Sequence, residues 1–266
     1  MDRSAVSFTE PSTVSPNLDL EAADLSALEQ WAASLEMAAL RQVYLAQNEL
    51  VYAHDFVPRW LVADLHEEAR ALEPNAVRKV LPGYKKSGSV SAHVIADAAP
   101  QIIGLYRSDV FRRVIERVVG RRLELCPPSD AHACALYYYT ERGDHIGWHY
   151  DASHYQGERF TVLVSLADDS TARLLGQLYR GDPDREVEPL ALATPPGTCV
   201  IFNGDRLYHS VSPIGEGERR VVLSLEYVTN PHMGRWQQLI AGIKDAVAYF
   251  GFRQWFASRS KRRPSG

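Results

Sequence analysis

The segment Gly147-Trp148-His149-Tyr150-Asp151 is the stretch that decides how this sequence is interpreted. In an extended chain, side chains two residues apart point to the same face, so His149 and Asp151 can bind one ion together. An imidazole and a carboxylate suit a borderline divalent metal, and a second imidazole completes the ligand set typical of non-haem iron(II) sites. Because this short pattern is common by chance, a second histidine is needed at a suitable distance.

His209 is the best candidate for that second imidazole. It lies 58 residues after Asp151, just beyond the predicted strand Thr198–Asn203, which leaves room for several intervening strands. Arg220 follows eleven residues later and opens another predicted strand. A guanidinium near a metal can hold a carboxylate through two hydrogen bonds, but the adjacent Arg219 could do the same.

The surrounding sequence predicts helices first, then strands, then one closing helix. Apolar residues recur at helical spacing over residues 19–50, with one break, and a second helix begins near Pro58. A third runs over Asp109–Val119, capped by Ser108 and ended by Gly120. Helical character returns over Arg235–Phe256.

Short runs of β-branched and aromatic residues, bounded by Gly, Pro and Asp clusters, fill the region between these helices. The predicted strands are His132–Tyr139, Arg159–Ala167, Thr198–Asn203 and Arg219–Val228. Strands at this spacing predict a sandwich or barrel. The fold class is therefore α+β, with a β core over about residues 123–230 of a single domain spanning 18–258. Residues 1–17 read as a flexible leader and 259–266 as a basic tail.

Composition excludes several functional classes. The chain has 266 residues and a net charge of -4, so an extended nucleic-acid-binding surface is not expected. Three widely spaced cysteines form no disulfide framework and predict reduced, buried thiols, as in a cytoplasmic protein. No apolar stretch reaches the roughly 18 residues of a membrane span. A homodimer is compatible with the sequence.

Together these motifs resemble the Fe(II)/2-oxoglutarate-dependent dioxygenase superfamily. His-x-Asp, then His, then Arg about ten residues on is the pattern of that superfamily. Tyr139-Thr140-Glu141-Arg142-Gly143 is similar to the Tyr-x-x-x-Gly lead-in of prolyl-hydroxylase-like members. Leu175-Gly176-Gln177-Leu178 resembles their Gly-Gly-Glu-Leu strand, with one glycine replaced, and 196–202 resembles the strand before their second histidine. The likeness covers roughly residues 123–230.

The resemblance implies a double-stranded β-helix, or jelly roll, with an N-terminal helical layer and a C-terminal helix. It implies Fe(II) on His149, Asp151 and His209, with 2-oxoglutarate and O2 as co-substrates and ascorbate as an accessory reductant. Arg220 would bind the 2-oxoglutarate carboxylate, because Arg-x-x-x-Ser-x-x-Tyr matches the family strand better from Arg220 than from Arg219. Tyr139 would hydrogen-bond the same group.

Two further expectations concern the reaction and the substrate. Related halogenases carry Gly or Ala where this chain has Asp151, so hydroxylation or another oxidation, such as desaturation, is favoured over halogenation. If Arg220 faces the interior, strand periodicity turns Glu226 inward as well. We therefore expect Glu226 to pair with a cationic group of the substrate, unless it lies at a strand end in solvent.

Four functions remain open from the sequence. The favoured one is oxidation of a C–H bond in a small molecule, such as an amino acid or biosynthetic intermediate. The second is hydroxylation of a protein side chain, as in prolyl-hydroxylase-like enzymes. The third is a non-catalytic metal-binding module of cupin type, which would have no need of an inward guanidinium at Arg220. A zinc hydrolase is a weaker option.

Overall fold

The computed structural model describes residue 20 and residues 22–232. Six α-helices lie within these residues: α1 (Ala22–Ser34), α2 (Met37–Ala46), α3 (Arg59–Leu72), α4 (Ala92–Ala98), α5 (Pro100–Arg107) and α6 (Asp109–Val119). The strands are β1 (Leu50–Ala53), β2 (Val77–Leu81), β3 (Lys85–Val90), β4 (Glu124–Leu125), β5 (Cys134–Tyr139), β6 (His145–His149), β7 (Arg159–Asp169), β8 (Leu174–Leu178), β9 (Glu188–Leu192), β10 (Cys199–Asn203), β11 (Tyr208–Val211) and β12 (Arg219–Val228).

All of these strands belong to one curled antiparallel sheet with the order β1-β10-β7-β12-β5-β3-β6-β11-β8-β9. Strand β3 joins the two halves of the sheet, because it pairs with β5 through Gly88–Val90 and with β6 through Lys85 and Lys86. The halves face each other as the two layers of a double-stranded β-helix. The predicted jelly-roll core is therefore confirmed.

The long central strand β12 separates the helix-facing core from the interior of the barrel. Val221, Leu223, Leu225 and Tyr227 belong to the same buried apolar cluster as the inner faces of α3, α5 and α6. Alternation along a strand therefore turns Arg220, Val222, Ser224 and Glu226 toward the barrel interior. The fold thus places a row of polar side chains inside the barrel.

The predicted elements mostly have their structural counterparts. The first helical segment breaks between α1 and α2, and α6 spans the predicted residues. Ser108 accepts a hydrogen bond from the Phe111 backbone N–H, and Gly120 ends the helix in the left-handed conformation at φ 63°. The closing helix 235–256, the leader 1–17 and the tail 259–266 lie outside the described residues. No described helix has the length and apolar character needed to cross a bilayer.

One region departs from the sequence interpretation. The composition of the basic segment 82–89 is compatible with a lid or with an ordinary connection, but this segment contributes the turn after β2 and most of β3. Its Lys85, Ser87 and Ser89 side chains are fully buried. The three cysteines are buried and unbridged, as predicted.

Candidate metal centre

Three side chains converge where β6 and β11 meet. His149 ends β6 and pairs in register with His209 on β11, while Asp151 follows two residues after His149. The imidazole centroids are 4.2 Å apart, and one ligand atom from each of the three residues lies within 4.8 Å of the others. Asp151 Oδ1 is 3.4 Å from His149 Nε2, and Asp151 Oδ2 is 3.6 Å from His209 Nε2. This arrangement can hold one metal ion.

Backbone carbonyls orient both imidazoles. His149 Nδ1 lies 2.8 Å from the Gly147 carbonyl oxygen, and His209 Nδ1 lies 3.1 Å from that of Leu207. A carbonyl can only accept, so we assign the ring proton to Nδ1 in each case. Each Nε2 then carries a lone pair on the side of Asp151, as in histidines that bind a metal.

The electrostatics favour the protonation states that a metal requires. Burial, opposed by Asp151 and reinforced by His149, lowers the pKa of His209 to about 4, so His209 is neutral at neutral pH. Burial alone would raise the pKa of Asp151, but the adjacent His209 and His149 hold it well below its usual range. The centre therefore combines two imidazoles with an ionised carboxylate.

The two neighbouring arginines have different environments. Arg220 is 1% exposed and donates to Asp168 Oδ2 at 2.9 Å, whereas its Nε has no hydrogen-bond partner among the described residues. Arg219 is partly exposed and pairs with Glu73 next to α3. Only Arg220 of the two therefore faces the barrel interior.

Tyr139 lies directly beside Arg220, since the two residues are register partners in β5 and β12. Burial raises the pKa of Tyr139, so its hydroxyl keeps its proton. On the other side of β5, the Gly88–Tyr138 pairing places Ser87 level with Tyr139. The fully buried Ser87 hydroxyl has no hydrogen-bond partner among the described residues. A hydroxyl, a phenol and a guanidinium thus form one row inside the barrel.

Ser87 is a candidate that the sequence interpretation missed. The alternation Lys85-x-Ser87-x-Ser89 would have indicated a strand with one polar face. The glycine and lysines around it are poor strand residues in isolation.

Glu226 also faces the interior and is 4% exposed, so the alternative of a solvent-exposed strand end is wrong. Its Oε2 accepts from Arg159 Nε at 3.0 Å and lies 2.9 Å from the Thr161 hydroxyl. Its Oε1 accepts from the Ser224 hydroxyl at 3.0 Å. Burial raises the pKa of Glu226 to about 7, Arg159 opposes this rise, and Asp151 adds to it.

Because Trp148 and Tyr150 alternate with His149 and Asp151, the sequence predicts that they pack in the core, but they do not. Trp148 is 40% exposed and stacks on Tyr208 with a centroid distance of 5.3 Å. Tyr150 contacts the same Tyr208 ring, over which the Arg180 guanidinium lies at 4.1 Å. These rings cover the outer face of the sheet, behind the candidate ligands.

Comparison with protein families gives one partial match. The family model described as "HalD: Halogenase D" matches residues 33–157, which include His149 and Asp151 but end before His209 and Arg220. No curated protein matches the sequence.

Solved structures match the fold more extensively. The α-ketoglutarate-dependent epimerase SnoN from nogalamycin biosynthesis is 18% identical with a TM-score of 0.57, covering 76% of this chain and 82% of its own. The prolyl hydroxylase from Trichoplax adhaerens, in complex with a hypoxia inducible factor peptide fragment, is 12% identical with a TM-score of 0.57, covering 84% and 98%. EctD from S. alaskensis, with 2-oxoglutarate and 5-hydroxyectoine, is 19% identical with a TM-score of 0.54, covering 72% and 75%. This chain therefore has the fold of the Fe(II)/2-oxoglutarate-dependent oxygenases.

Proposed function

We propose that the protein is an Fe(II)- and 2-oxoglutarate-dependent oxygenase that oxidises an unactivated C–H bond. The observation that carries this proposal is the convergence of His149, Asp151 and His209 inside this fold. Two oriented imidazoles and one carboxylate are the donor set that non-haem iron(II) prefers, and they leave coordination positions open.

Arg220 supports 2-oxoglutarate as the co-substrate. A buried polar atom without a partner is costly, and Arg220 Nε is such an atom among the described residues. A carboxylate beside Arg220 would satisfy it, with Tyr139 as a second donor. When bound, the iron and 2-oxoglutarate would supply the oxidising power from O2 as the oxoacid is converted to succinate and CO2.

The residues of the chain would then bind and orient the oxoacid and shield the site from water. Arg220 and Tyr139 would fix the distal end of the oxoacid, so that its other end reaches His149, Asp151 and His209. The apolar interior side chains Ile146, Leu174, Phe202 and Val211 would exclude water from the reacting atoms.

We propose hydroxylation, or another oxidation of the same kind, rather than halogenation. The partial match to a halogenase family makes halogenation a relevant alternative. The Asp151 carboxylate supports our choice, because as a metal ligand it would take the place that a halide would need. We expect turnover in chloride-containing buffer to give no chlorinated product by mass spectrometry. A chlorinated product from the wild-type protein would contradict this assignment.

The proposed substrate is a small molecule, and the proposed location of the protein is the cytoplasm. Protein side-chain hydroxylation is the second candidate, supported by the likeness to a prolyl hydroxylase bound to a peptide fragment. The two candidates differ in the substrate that stimulates turnover, a free small molecule or a proline-containing peptide.

We further propose that Glu226 contacts a cationic group of the substrate through its Oε1 side. Its inward position supports this role. The charge balance supports it too, because the single positive charge of Arg159 is shared between two carboxylates, those of Glu226 and Asp130. Glu226→Gln should raise the substrate KM far more than the 2-oxoglutarate KM. Unchanged values for both would remove this role.

The test of the proposed function is succinate formation. Anaerobically purified protein is given Fe(II), 2-oxoglutarate and ascorbate, and oxygen is then admitted. We expect slow succinate release that falls at least tenfold in Asp151→Ala and Arg220→Ala, whereas the neighbouring variant Arg219→Ala keeps it. Equal succinate from the wild-type protein and Asp151→Ala would contradict the proposal.

A further inference from the structure

The segment that carries Asp151 lacks the support of a strand. β6 ends at His149 and β7 begins at Arg159, so Asp151 lies in irregular chain between them. Its two histidine partners both lie on strands. The direction of the Asp151 carboxylate therefore depends on side-chain contacts more than theirs does.

One such contact comes from Thr161, a fully buried residue on β7. Its hydroxyl lies 3.0 Å from Asp151 Oδ2 and 2.9 Å from Glu226 Oε2. Thr161 and Glu226 are register partners in the centre of the sheet, so the hydroxyl is held by two well-paired strands.

The Thr161 hydroxyl has one proton and two carboxylates within reach. Glu226 Oε2 already accepts from Arg159 Nε at 3.0 Å. Because Arg159 also donates to Glu226 Oε2, that oxygen keeps a donor when the Thr161 proton is directed to Asp151 Oδ2. This hydrogen bond orients the carboxylate against rotation.

The residues behind Thr161 are hydrogen-bonded to one another, and among the described residues Glu226 Oε1 accepts a hydrogen bond only from Ser224. Arg159 also lies 3.5 Å from Asp130 Oδ2, and the same oxygen accepts from the Tyr155 hydroxyl at 2.6 Å. Buried polar networks whose members are all hydrogen-bonded are rigid, and they suit the support of a neighbouring group.

We propose that Thr161 is the positioning residue of Asp151 and couples it to the buried Arg159–Glu226 pair. This inference rests on the proposed metal site. Hydrogen-bonding partners behind a metal ligand typically change metal affinity by about 10–100-fold when they are removed.

The test is titration of the metal-free protein with Mn(II) by calorimetry, without 2-oxoglutarate. Thr161→Val removes the hydroxyl and keeps the shape, and we expect the Mn(II) Kd to rise by about 10–100-fold. Thr161→Ser retains the hydroxyl and should bind within a few-fold of the wild-type protein. Thr161→Ala is the second variant if the valine variant does not fold.

A double-mutant cycle separates positioning from general damage. In the Asp151→Ala background, Thr161→Val should not weaken Mn(II) binding further, because the group that it positions is gone. Wild-type affinity in both Thr161→Val and Thr161→Ala would overturn the inference, and so would an equal loss in the two backgrounds. If Asp151→Ala itself binds Mn(II) like the wild-type protein, the proposed metal site fails, and the inference fails with it.

Discussion

At the scale of single residues, the two adjacent arginines provide an internal comparison. Arg220 is buried in the interior and Arg219 pairs with Glu73 on the outer side. We expect Arg220→Gln to weaken 2-oxoglutarate binding by at least tenfold, since a charge-assisted hydrogen bond contributes about 1.5–3 kcal/mol. Arg219→Gln should bind 2-oxoglutarate within about twofold of the wild-type affinity. Calorimetry on Mn(II)-loaded protein measures both, and a larger loss in Arg219→Gln would reverse the assignment.

Lys85 gives a prediction about stability and pH. Burial, and then the nearby Lys79, lower the pKa of Lys85 to about 7 from its ordinary 10.5. The folded state therefore binds fewer protons than the unfolded state between these two pKa values. Below about pH 7 the full cost of the buried ammonium is present, and it disappears as the pH rises toward 10.5.

We therefore expect Lys85→Met to be more stable than the wild-type protein at pH 7, by on the order of a few kcal/mol. The difference should shrink as the pH rises. Urea unfolding of both proteins at pH 7 and pH 9.5 measures it. A wild-type protein that is the more stable one at pH 7 would show that the Lys85 ammonium is well compensated in the folded state.

At the scale of elements, the connection between β10 and β11 packs against the candidate ligand segment. A Cβ added at Gly204 would lie 2.6 Å from the Asp151 carbonyl oxygen and 3.0 Å from its Cβ. Backbone atoms cannot yield as a flexible side chain can, so Gly204→Ala should displace Asp151. We expect weaker Mn(II) binding in Gly204→Ala, with Gly181→Ala as the control, because a Cβ added at Gly181 would meet no atom within 4 Å. Equal affinity in both variants would contradict the prediction.

Strand β3 carries a prediction of its own. If Ser87 completes the row with Tyr139 and Arg220, Ser87→Ala should weaken binding of 2-oxoglutarate by several-fold. It should leave binding of 2-oxobutyrate, which lacks the distal carboxylate, unchanged. Ser89→Ala on the same strand is the matched control. An equal loss for both ligands in Ser87→Ala would place this hydroxyl elsewhere in the site.

Strand β3 is also an element that could not be predicted from the sequence. Regular patterns predicted α6 and β12 well, because each has a clear period and α6 also has capping residues at both ends. β3 was not predicted, since Gly83, Lys85, Lys86 and Gly88 are poor strand residues in isolation. Pairing with β2 on one edge and with β5 and β6 on the other overrides that preference.

At the scale of the whole molecule, the fold separates two kinds of polar interior. The Arg159–Glu226 network is hydrogen-bonded throughout, whereas the Ser87–Tyr139–Arg220 row retains polar atoms without partners among the described residues. A hydrogen-bonded cluster can support neighbouring groups, and an unsatisfied row is suited to the carboxylate of 2-oxoglutarate.

Motif spacing indicated His149, Asp151, His209 and Arg220, because the superfamily pattern includes those positions, and the first three lie together in the structure. It could not predict Thr161, which approaches Asp151 only through the pairing of β7 with β12. Nor could it predict that Trp148 is exposed, since alternation identifies a face of the sheet but not what covers it.

The most direct test of the central claim is anaerobic absorption spectroscopy of the protein with Fe(II) and 2-oxoglutarate. We expect a weak visible band of an Fe(II)–2-oxoglutarate chelate in the wild-type protein. The band should need a higher 2-oxoglutarate concentration in Arg220→Gln and be absent in His209→Ala. A wild-type protein that binds Fe(II) but never develops the band, at any concentration of 2-oxoglutarate, would contradict the account.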